Sequence, residues 1–416
     1  AEEIGQLASE SAETVQEING IIEELTDNAN KCMDIMKDMN TTSKTQIDTL
    51  TVTQDTFQEL KNALDVCIET VQDIEDHAQA VEHLINALIE HKVVNSLDDI
   101  KAIGHRMVHA GEYYAKSVPA SQDVVDKMEE CSELAPLHNP AGLTGYFSFK
   151  KALPNCSDTC VFDTAFHQSM PEENYIYPIP YEYYTKDKIR RYGMHGTSHM
   201  YLTYRLAEIL NKPVEEMNII TCHLGNGASI TAVKNGKSFK TSMGFTPLSG
   251  IMMGTRSGDI DPAIVIYLQK KYGYTPDEVD NILNKKSGML GISGISSDGR
   301  DVEKAADEGN ERAILTQKMY VSRIVETVSG YYGLMGGADA IVFAGGIGEN
   351  DWKMRQKICD GLKVFGVDVP VELNEGIRGK EAKLSSDASK MQVWLIPTNE
   401  ELMIARDAYK DLVNNA

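Results

Sequence analysis

The first 76 residues repeat an apolar pattern every seven positions. One set of core positions runs from Ala8 to Val71 and a second from Ile4 to Ile74, and 17 of these 21 positions are apolar. Mainly Glu, Asp, Gln, Asn and Thr lie between them, and the stretch contains no proline. Apolar residues at this spacing predict one long α-helix that presents a continuous seam to a partner helix, as in a coiled coil.

From about residue 77 the pattern changes to short apolar runs that alternate with amphipathic stretches. Strands are expected at 102–108, 158–162, 218–223, 229–233, 340–343 and 392–396. Helices are expected at 78–90, 199–210, 261–271, 276–283, 312–330 and 399–413. This alternation predicts an α/β protein with packed sheets.

Two glycine-rich segments follow predicted strands. HLGNGAS, residues 223–229, lies between two β-type runs, and the second run ends at the hairpin signal Asn235–Gly236. AGGIGEN, residues 344–350, follows the strand at 340–343. Glycine permits positive φ and a close approach of backbone N–H groups to an anion. Together the two segments suggest a nucleotide held by its phosphates, although each alone is equally compatible with an ordinary tight turn.

Composition limits the partners and the compartment. Of the net charge of −22, residues 1–76 carry −14 (18 acidic and 4 basic residues), which leaves −8 for the rest. This acidity argues against nucleic acid or an anionic membrane surface as the main partner. No apolar run reaches the roughly 18 residues that cross a bilayer. Seven thinly spread cysteines fit reduced thiols, so we expect a cytoplasmic protein.

Charged side chains that suit phosphoryl transfer follow the predicted strands and glycine loops. Such chemistry needs cations at the transferring group and a carboxylate for magnesium. Arg106, in GHRMVHAGE, lies toward the end of the strand expected at 102–108, and Arg256 lies in the glycine-bracketed loop MGTRSGDIDP. Asp163 stands at the carboxyl end of a strand, and Glu400 opens the last predicted helix. A lone arginine is more often part of a surface ion pair, and Glu400 has a helix-capping alternative.

Two histidines and one polar turn complete the candidates. His138 in LAPLHNP and His195 in RRYGMHGTSH both lie in turn-rich contexts that expose a side chain to a cleft. Taken singly, each is more often a structural histidine. The turn Ser297–Asp301 suits a nucleotide contact or, equally, a helix N-cap.

Eight motifs in this order resemble the acetate kinases over about residues 75–416: HRMVHAGE, LAPLHNPA, FDTAFHQ, RRYGMHGTSH, HLGNGAS, MGTRSGDIDP, GGIGEN and PTNEEL. The resemblance implies the two-domain α/β fold shared by acetate and sugar kinases, Hsp70 and actin. It places an incomplete substrate domain at 76–165 plus 397–416 and a nucleotide-binding domain at 166–396. The coiled-coil segment, 1–75, would precede both.

The resemblance also implies an activity and a role for each matching residue. The activity is reversible transfer of the ATP γ-phosphoryl group to acetate, giving acetyl phosphate and ADP, with Mg²⁺, in a cytoplasmic homodimer. Arg106 would bind the substrate carboxylate, Asp163 would be the essential carboxylate, His195 and Arg256 would stabilise the transition state, His138 would line the same pocket and Glu400 would hold magnesium. ATP would contact His223, Leu224, Gly225, Asn226, Gly227, Asp298, Gly299, Arg300, Gly346, Ile347, Gly348, Glu349 and Asn350.

The role of Asp163 can be narrowed by chemistry. Acetate is already ionised at pH 7, so the nucleophile needs no strong general base. It needs relief from repulsion by the polyanionic phosphate, which cations and hydrogen-bond donors supply. We therefore expect Asp163 to orient an arginine or a histidine rather than to take a proton.

The chain departs from the family pattern at its start. The family begins with an Asn-x-Gly-Ser-Ser-Ser loop between two strands, and no such segment is present. Residues 1–75 stand in its place, and AEEIGQLASESAETVQEINGIIEEL resembles the signalling helix of methyl-accepting chemotaxis proteins. We therefore expect a substrate-domain sheet that lacks its first strands, and kinase activity that is strongly reduced or absent. Met194 replaces the phenylalanine usual before His195, a tolerable change.

Two other functions stay open at this point. One is a non-catalytic coiled-coil signalling protein whose kinase-like part senses metabolites. The other is a kinase for propionate or butyrate, because the pocket residues do not rank acids by length. Metal- and ATP-dependent hydroxamate formation distinguishes the first from an acetate kinase, and rates with longer acids distinguish the second.

Overall fold

The computed structural model describes residues 77–135 and 138–414. The predicted coiled coil, residues 1–75, lies outside these ranges and stays a prediction. The chain divides into two compact units, residues 1–99 and 100–416. The described part of the first contains helix α1 (His77–Glu90) and a 3₁₀ turn, Leu97–Asp99. The elements below belong to the second unit.

The strands of the second unit form two sheets. They are β1 (Ala102–Met107), β2 (Val118–Pro119), β3 (Ser157–Phe162), β4 (Ile219–Leu224), β5 (Ala228–Lys234), β6 (Lys237–Thr241), β7 (Ala340–Ala344), β8 (Ala382–Lys383) and β9 (Gln392–Leu395). Among the described residues, one sheet has the order β1-β3-β2 and the other the order β6-β5-β4-β7-β9-β8. All six predicted strands are confirmed to within two residues at each end.

Helices surround these sheets. They are α2 (Gln122–Glu130), α3 (Asn139–Ala152), α4 (Glu172–Tyr175), α5 (Glu182–Asp187), α6 (Gly196–Leu210), α7 (Ala263–Tyr272), α8 (Pro276–Lys285), α9 (Gly288–Ser293), α10 (Gly299–Asp307), α11 (Glu311–Met335), α12 (Gly345–Asn350), α13 (Trp352–Gly361), α14 (Val371–Asn374) and α15 (Glu400–Asn414). Short 3₁₀ helices lie at Cys131–Glu133, Ala165–Ser169, Val214–Glu216 and Lys363–Phe365. The six predicted helices are confirmed, with α11 reaching five residues further than expected.

Strand direction brings the polar ends of the strands together. In the small sheet, β1 and β3 are parallel, and β2 is antiparallel to β3. In the large sheet, β4, β7 and β9 are parallel, whereas β5, β6 and β8 run antiparallel to their neighbours. The carboxyl ends of β4, β7 and β9 therefore lie at one edge of the large sheet, where open α/β sheets commonly bind ligands.

The large sheet is apolar on both faces because helices cover both. On one face, Ile220 and Phe343 pack into a core that includes Tyr320 and Ile324 of α11. On the other, Ile219, Ala340 and Val342 pack with Leu202 and Leu206 of α6. A strand buried on both faces has no polar alternation, which explains the uninterrupted sequence AIVFA of β7.

Two glycines with the same backbone conformation provide a matched test of packing. Gly236, in the turn between β5 and β6, has φ +73°, and Gly273, which ends α7, has φ +72°. A Cβ at Gly236 would overlap the carbonyl of Val214, whereas a Cβ at Gly273 meets nothing within 4 Å. Gly273→Ala should cost about 1–2 kcal/mol through left-handed strain alone. Gly236→Ala should cost about 1–3 kcal/mol more. If urea unfolding showed that the two variants lose the same free energy of unfolding, the clash at Gly236 would be refuted.

Candidate active site

Arg106 and Asp163 are paired by the register of the small sheet. Arg106 lies opposite Val161 in the parallel β1–β3 pair, and Asp163 directly follows β3. The guanidinium donates two hydrogen bonds to the carboxylate, Nε to Oδ1 at 3.0 Å and Nη2 to Oδ2 at 2.7 Å. Asp163 is buried, and its negative charge raises the pKa of Arg106. The bidentate pair holds one fork of the guanidinium and leaves the side chain about half exposed (47%).

Glu400, the first residue of α15, faces the same arginine. Its Oε2 lies 3.7 Å from Nε of Arg106. Burial raises the pKa of Glu400 to about 7, Arg106 opposes the rise, and Asp163 and Glu401 add to it. A buried carboxylate of this kind gains most from a nearby cation.

The surroundings of Glu400 suit a divalent cation that is held mainly by water and substrate oxygens, rather than one enclosed by protein ligands. Within the described ranges, three or more His, Cys, Asp or Glu side chains nowhere come together as a metal site. Mg²⁺ commonly takes one or two carboxylates and completes its shell with water and substrate phosphates. Glu400 is placed to supply such a carboxylate.

Backbone geometry carries His195 to the same place. His195 has φ +58° immediately before α6, a left-handed conformation that is costly for a residue with a side chain. Gly196 then donates its N–H to the carbonyl of Asp163 at 2.8 Å, and a Cβ there would overlap that carbonyl. The glycine permits the close approach, and the turn directs the His195 ring toward Gly227, whose added Cβ would lie 3.6 Å from Nε2.

His195 and His223 are both neutral at pH 7. The rings of His195 and His223 stack with centroids 4.3 Å apart. Burial lowers the pKa of His195 well below its usual 6.5, and His223, Arg106 and Arg256 lower it further. Burial, followed by Arg106, lowers the pKa of His223 to about 4. The histidines therefore act as hydrogen-bonding groups, and the arginines supply the positive charge.

Arg256 is the second cation of the site. No carboxylate of the described chain forms an ion pair with it, and burial lowers its pKa. Its Nη1 lies 3.8 Å from the sulfur of Met253 and would lie 3.5 Å from a Cβ at Gly227. A partly buried guanidinium without a counter-charge is suited to an anionic ligand.

His138 belongs to the same electrostatic environment. It immediately precedes α3, and its side chain makes no capping hydrogen bond. Desolvation lowers its pKa, and Arg256 and Arg106 lower it further, so the ring lies within reach of both charges. The structure thus brings together the candidate residues Arg106, His138, Asp163, His195, Arg256 and Glu400.

The three predicted nucleotide segments also meet. In the turn after β4, the N–H of Gly225 donates to the carbonyl of Gly227 at 3.1 Å. A Cβ at Gly225 would lie 3.8 Å from the backbone nitrogen of Gly346, and one at Gly299 would lie 3.7 Å from the side chain of Ile347. The segments 223–227, 298–300 and 346–350 therefore lie against one another, and Gly227 of the first lies next to His195 and Arg256.

The second glycine segment is a short helix, α12, where a loop was expected. Glu349 explains the difference, since its Oε1 accepts hydrogen bonds from the N–H groups of Gly345 at 2.8 Å and Thr398 at 3.0 Å. The carboxylate thus fixes the start of α12 and ties it to the segment before Glu400. Asn350 also bonds within the helix, to the carbonyl of Gly346 at 3.0 Å.

Asp298 is a helix N-cap, the alternative that its sequence left open. Its Oδ1 accepts the N–H of Arg300 at 2.9 Å at the start of α10. The guanidinium of Arg300 also pairs with Asp298, Nη2 to Oδ2 at 2.6 Å, on a side chain that is 89% exposed. This pair lies at the exposed start of α10.

The sequence did not predict the hydroxyl groups that form hydrogen bonds with His195 and His223. Ser229 bonds Nδ1 of His195 at 2.8 Å, and Ser198 bonds Nδ1 of His223 at 2.9 Å. Ser198 continues to Thr398 at 2.7 Å. The atoms joined by these bonds belong to residues at least 25 positions apart, so no local sequence pattern predicts the bonds.

Buried histidines should make the fold sensitive to acid. Burial lowers the pKa of His167 and His223 to about 4, whereas unfolded histidines titrate near 6.5. Below pH 6.5 the unfolded chain binds protons that the folded chain does not, so the free energy of unfolding should fall as the pH drops toward 4. Each histidine should contribute about 1.4 kcal/mol per pH unit in this window. Urea unfolding between pH 6.5 and pH 4 measures this fall in the free energy of unfolding. His167→Gln should show a shallower dependence of that free energy on pH. An unchanged dependence would contradict the lowered pKa of His167.

Comparisons with known proteins agree with this geometry. The model of the acetokinase family matches residues 29–406, and so begins upstream of the resemblance seen in the motifs. The chain is 55% identical over 342 residues to the acetate kinase of Geobacillus kaustophilus (strain HTA426), covering 82% of this chain and 86% of that protein. It is 53% identical over 340 residues to the acetate kinase of Bacillus subtilis (strain 168), with the same coverage.

Solved structures of related kinases share the fold. The acetate kinase of Porphyromonas gingivalis matches with a TM-score of 0.79 and 46% identity, covering 82% of this chain and 86% of that one. A propionate kinase from Francisella tularensis matches with a TM-score of 0.75 and 43% identity, covering 80% and 84%.

Fold and site together define a phosphotransferase of the acetate/sugar kinase–Hsp70–actin class, which confirms the predicted fold class. The chain belongs to the acetokinase family. Within 77–135 and 138–414, no helix is long and apolar enough to cross a bilayer.

Proposed function

We propose that this chain transfers the γ-phosphoryl group of ATP reversibly to acetate, giving acetyl phosphate and ADP. The observation that carries the proposal is the convergence of Arg106, His195 and Arg256 beside the glycine turn at 225–227. Phosphoryl transfer is catalysed mainly by positioning and by neutralising charge, and this cluster supplies both.

Each cationic or donor group has a distinct task in this scheme. Arg256 lacks a carboxylate partner, so its guanidinium is available to the equatorial oxygens of the migrating phosphoryl group. His195 offers a neutral ring whose Nε2 side faces Gly227. Arg106, held by Asp163, presents its exposed edge to the acetate carboxylate, and His138 lines the same space. The already ionised acetate then attacks without losing a proton.

The nucleotide would bind on the surface formed by residues 223–227, 298–300 and 346–350. The glycines there allow backbone N–H groups to approach the phosphates. Glu400 would hold a divalent cation, which we take to be Mg²⁺; when bound, it would offset the negative charge of the phosphates. Glu349 would act indirectly, by fixing α12 and the segment before Glu400 relative to each other.

Hydroxamate formation tests this function. Purified chain, ATP, MgCl₂, hydroxylamine and acetate should give acetyl hydroxamate, and omission of ATP or metal should abolish it. Parallel reactions with propionate and butyrate rank the acceptors, and acetate should be preferred. A product level equal to that of Arg256→Ala, in protein with an unchanged circular dichroism spectrum, would refute the proposal.

We also propose that the chain is a homodimer joined through α7. This helix, AIVIYLQKKY, has no buried residue although more than half of it is apolar. Ile264, Ile266 and Tyr267 are 43%, 50% and 56% exposed, and Tyr272 is 56% exposed. Exposed apolar surface of this extent on one helix is typical of an interface. Ile266→Glu should convert a dimer to a monomer in sedimentation velocity; a wild-type monomer would exclude this arrangement.

The cytoplasm is the compartment we propose. Five described cysteines, at positions 131, 156, 160, 222 and 359, are buried free thiols. Burial raises the pKa of Cys160 and of Cys359 to about 12, so these thiols stay protonated and unreactive. Free thiols are typical of a reducing environment.

A further inference from the structure

A chain of three hydrogen bonds leads from the core to His195. Thr221 Oγ1 lies 2.7 Å from Nδ1 of His199, and Nε2 of His199 lies 2.8 Å from Ser229 Oγ. Ser229 Oγ in turn lies 2.8 Å from Nδ1 of His195. His199, Ser229 and Thr221 are fully buried, so no solvent competes for these groups.

The number of available protons limits the direction in which this series of hydrogen bonds can donate. Each hydroxyl has one proton to donate, and a neutral imidazole has one N–H and one bare nitrogen. Burial lowers the pKa of His199 well below 6.5, which keeps that ring neutral at pH 7. If Ser229 accepted from both rings, its own buried proton would have no acceptor among the described residues. Two arrangements use both hydroxyl protons, one with every proton pointing toward His195 and one with every proton pointing away.

The position of Thr221 selects between them. If the protons pointed away from His195, the hydroxyl of Thr221 would have to donate to the carbonyl of Thr231, which lies 3.4 Å away. If they point toward His195, the same hydroxyl donates to His199 at 2.7 Å. A buried donor left with a long, weak hydrogen bond costs about 1–3 kcal/mol, so the second arrangement is favoured.

We propose that His199 and Ser229 are positioning residues that fix the tautomer of His195. Thr221 donates to His199, Nε2–H of His199 donates to Ser229, and Ser229 donates to Nδ1 of His195. The remaining proton of His195 is then on Nε2, the atom that faces Gly227 and Arg256. Its catalytic meaning rests on the proposed function, because a donor at Nε2 would stabilise a phosphoryl oxygen and a bare nitrogen would repel it.

NMR measures the tautomer of His195 directly, and the measurement does not require an activity assay. Histidine side chains of ¹⁵N-labelled protein, assigned with a His195→Gln variant, report which ring nitrogen carries the proton in long-range ¹H–¹⁵N spectra. Wild-type His195 should be protonated on Nε2 alone at pH 7, and Ser229→Ala should give a mixture of the two neutral forms. A wild-type ring protonated on Nδ1, or on both nitrogens, would overturn the proposal.

The chain offers a matched control for Ser229→Ala. Ser238 is also buried and bonds a buried histidine, Nδ1 of His167, at 2.8 Å, but it does not contact His195. Ser238→Ala removes the same kind of bond and should leave the His195 spectrum unchanged. An equal change in both variants would show a general loosening of the core and would count against the proposal.

Steady-state kinetics test whether the tautomer of His195 matters for catalysis. Ser229→Ala should lower kcat about tenfold, the equivalent of about 1.4 kcal/mol, with little change in KM for ATP. His199→Gln retains an N–H donor for Ser229 and should keep more activity than His199→Ala; it also serves if Ser229→Ala fails to fold. A shifted tautomer with wild-type kcat would refute the catalytic role. If the wild type forms no acetyl phosphate, the proposed function fails, and the spectra still decide the tautomer.

Discussion

Replacing Arg256 with alanine should lower kcat for acetyl phosphate formation by about 1,000-fold or more, the largest effect expected of a single substitution. An arginine that stabilises the transferring phosphoryl group is worth about 10³–10⁵ in rate. Arg256 has that character because it is partly buried beside Gly227 and forms no ion pair with a described carboxylate. The loss should fall mainly on kcat, since the guanidinium meets the most charge in the transition state.

Arg323→Ala is the control for this substitution. Arg323 is an exposed arginine of α11 whose nearest acidic partner, Glu326, lies 3.9 Å away. Its loss should leave kcat unchanged within about twofold, as expected for a surface ion pair. A fall of less than tenfold for Arg256→Ala, with unchanged folding, would remove Arg256 from the transition state. Arg256→Lys should restore only part of the rate, because lysine cannot fork onto two oxygens.

Asp163→Asn should lower activity by about 100-fold or more at every pH. The carboxylate accepts two hydrogen bonds from Arg106, and an amide can accept only on its oxygen while its NH₂ group opposes the guanidinium. Arg106 would then lose its fixed orientation and the counter-charge that raises its pKa. A guanidinium displaced by about 1 Å from its productive position can cost about 100-fold in rate, which is consistent with a loss of this size.

The pH profile separates this role from that of a general base. If Asp163 removed a proton, part of the rate of Asp163→Asn would return at high pH, when another base takes over; an orienting residue predicts no such recovery. Asp158→Asn is the matched control. Asp158 is a buried carboxylate of the same strand, bonded to His105 at 2.8 Å and Lys150 at 2.9 Å. The Asp158→Asn substitution should reduce the free energy of unfolding and leave kcat of the folded protein unchanged.

The fold was predictable where apolar runs were long. Strand β7 is a continuous apolar segment and strands β4 and β9 are mainly apolar, as is common for parallel strands that are buried on both faces. The pattern missed β2 and β8, each two residues long, and β6, whose sequence KSFKT has no apolar alternation. These strands form because their neighbours offer an edge for pairing, which no local pattern records.

The candidate site was predictable in its residues and not in its supporting contacts. Motif order located Arg106, Asp163, His195 and Arg256, which the structure brings together. The short helix α12 was predicted as a loop because it has three glycines, and one of the two hydrogen bonds of Glu349 that stabilise it joins residues 49 positions apart. The Glu349 carboxylate, for which a nucleotide contact stays a prediction, also bonds the backbone, and only tertiary contacts reveal this second role.

A crystal structure of the chain with ADP, Mg²⁺, acetate and aluminium fluoride tests most directly whether the site neutralises a migrating phosphoryl group. The planar fluoride mimics that group between acetate and ADP. We expect it beside the turn at 225–227, with Arg256 and Nε2 of His195 within about 3 Å of its fluorine atoms. Arg106 should lie on the acetate, still paired with Asp163. Fluoride and ADP bound elsewhere, or bound with Arg106, His195 and Arg256 turned away, would contradict the account.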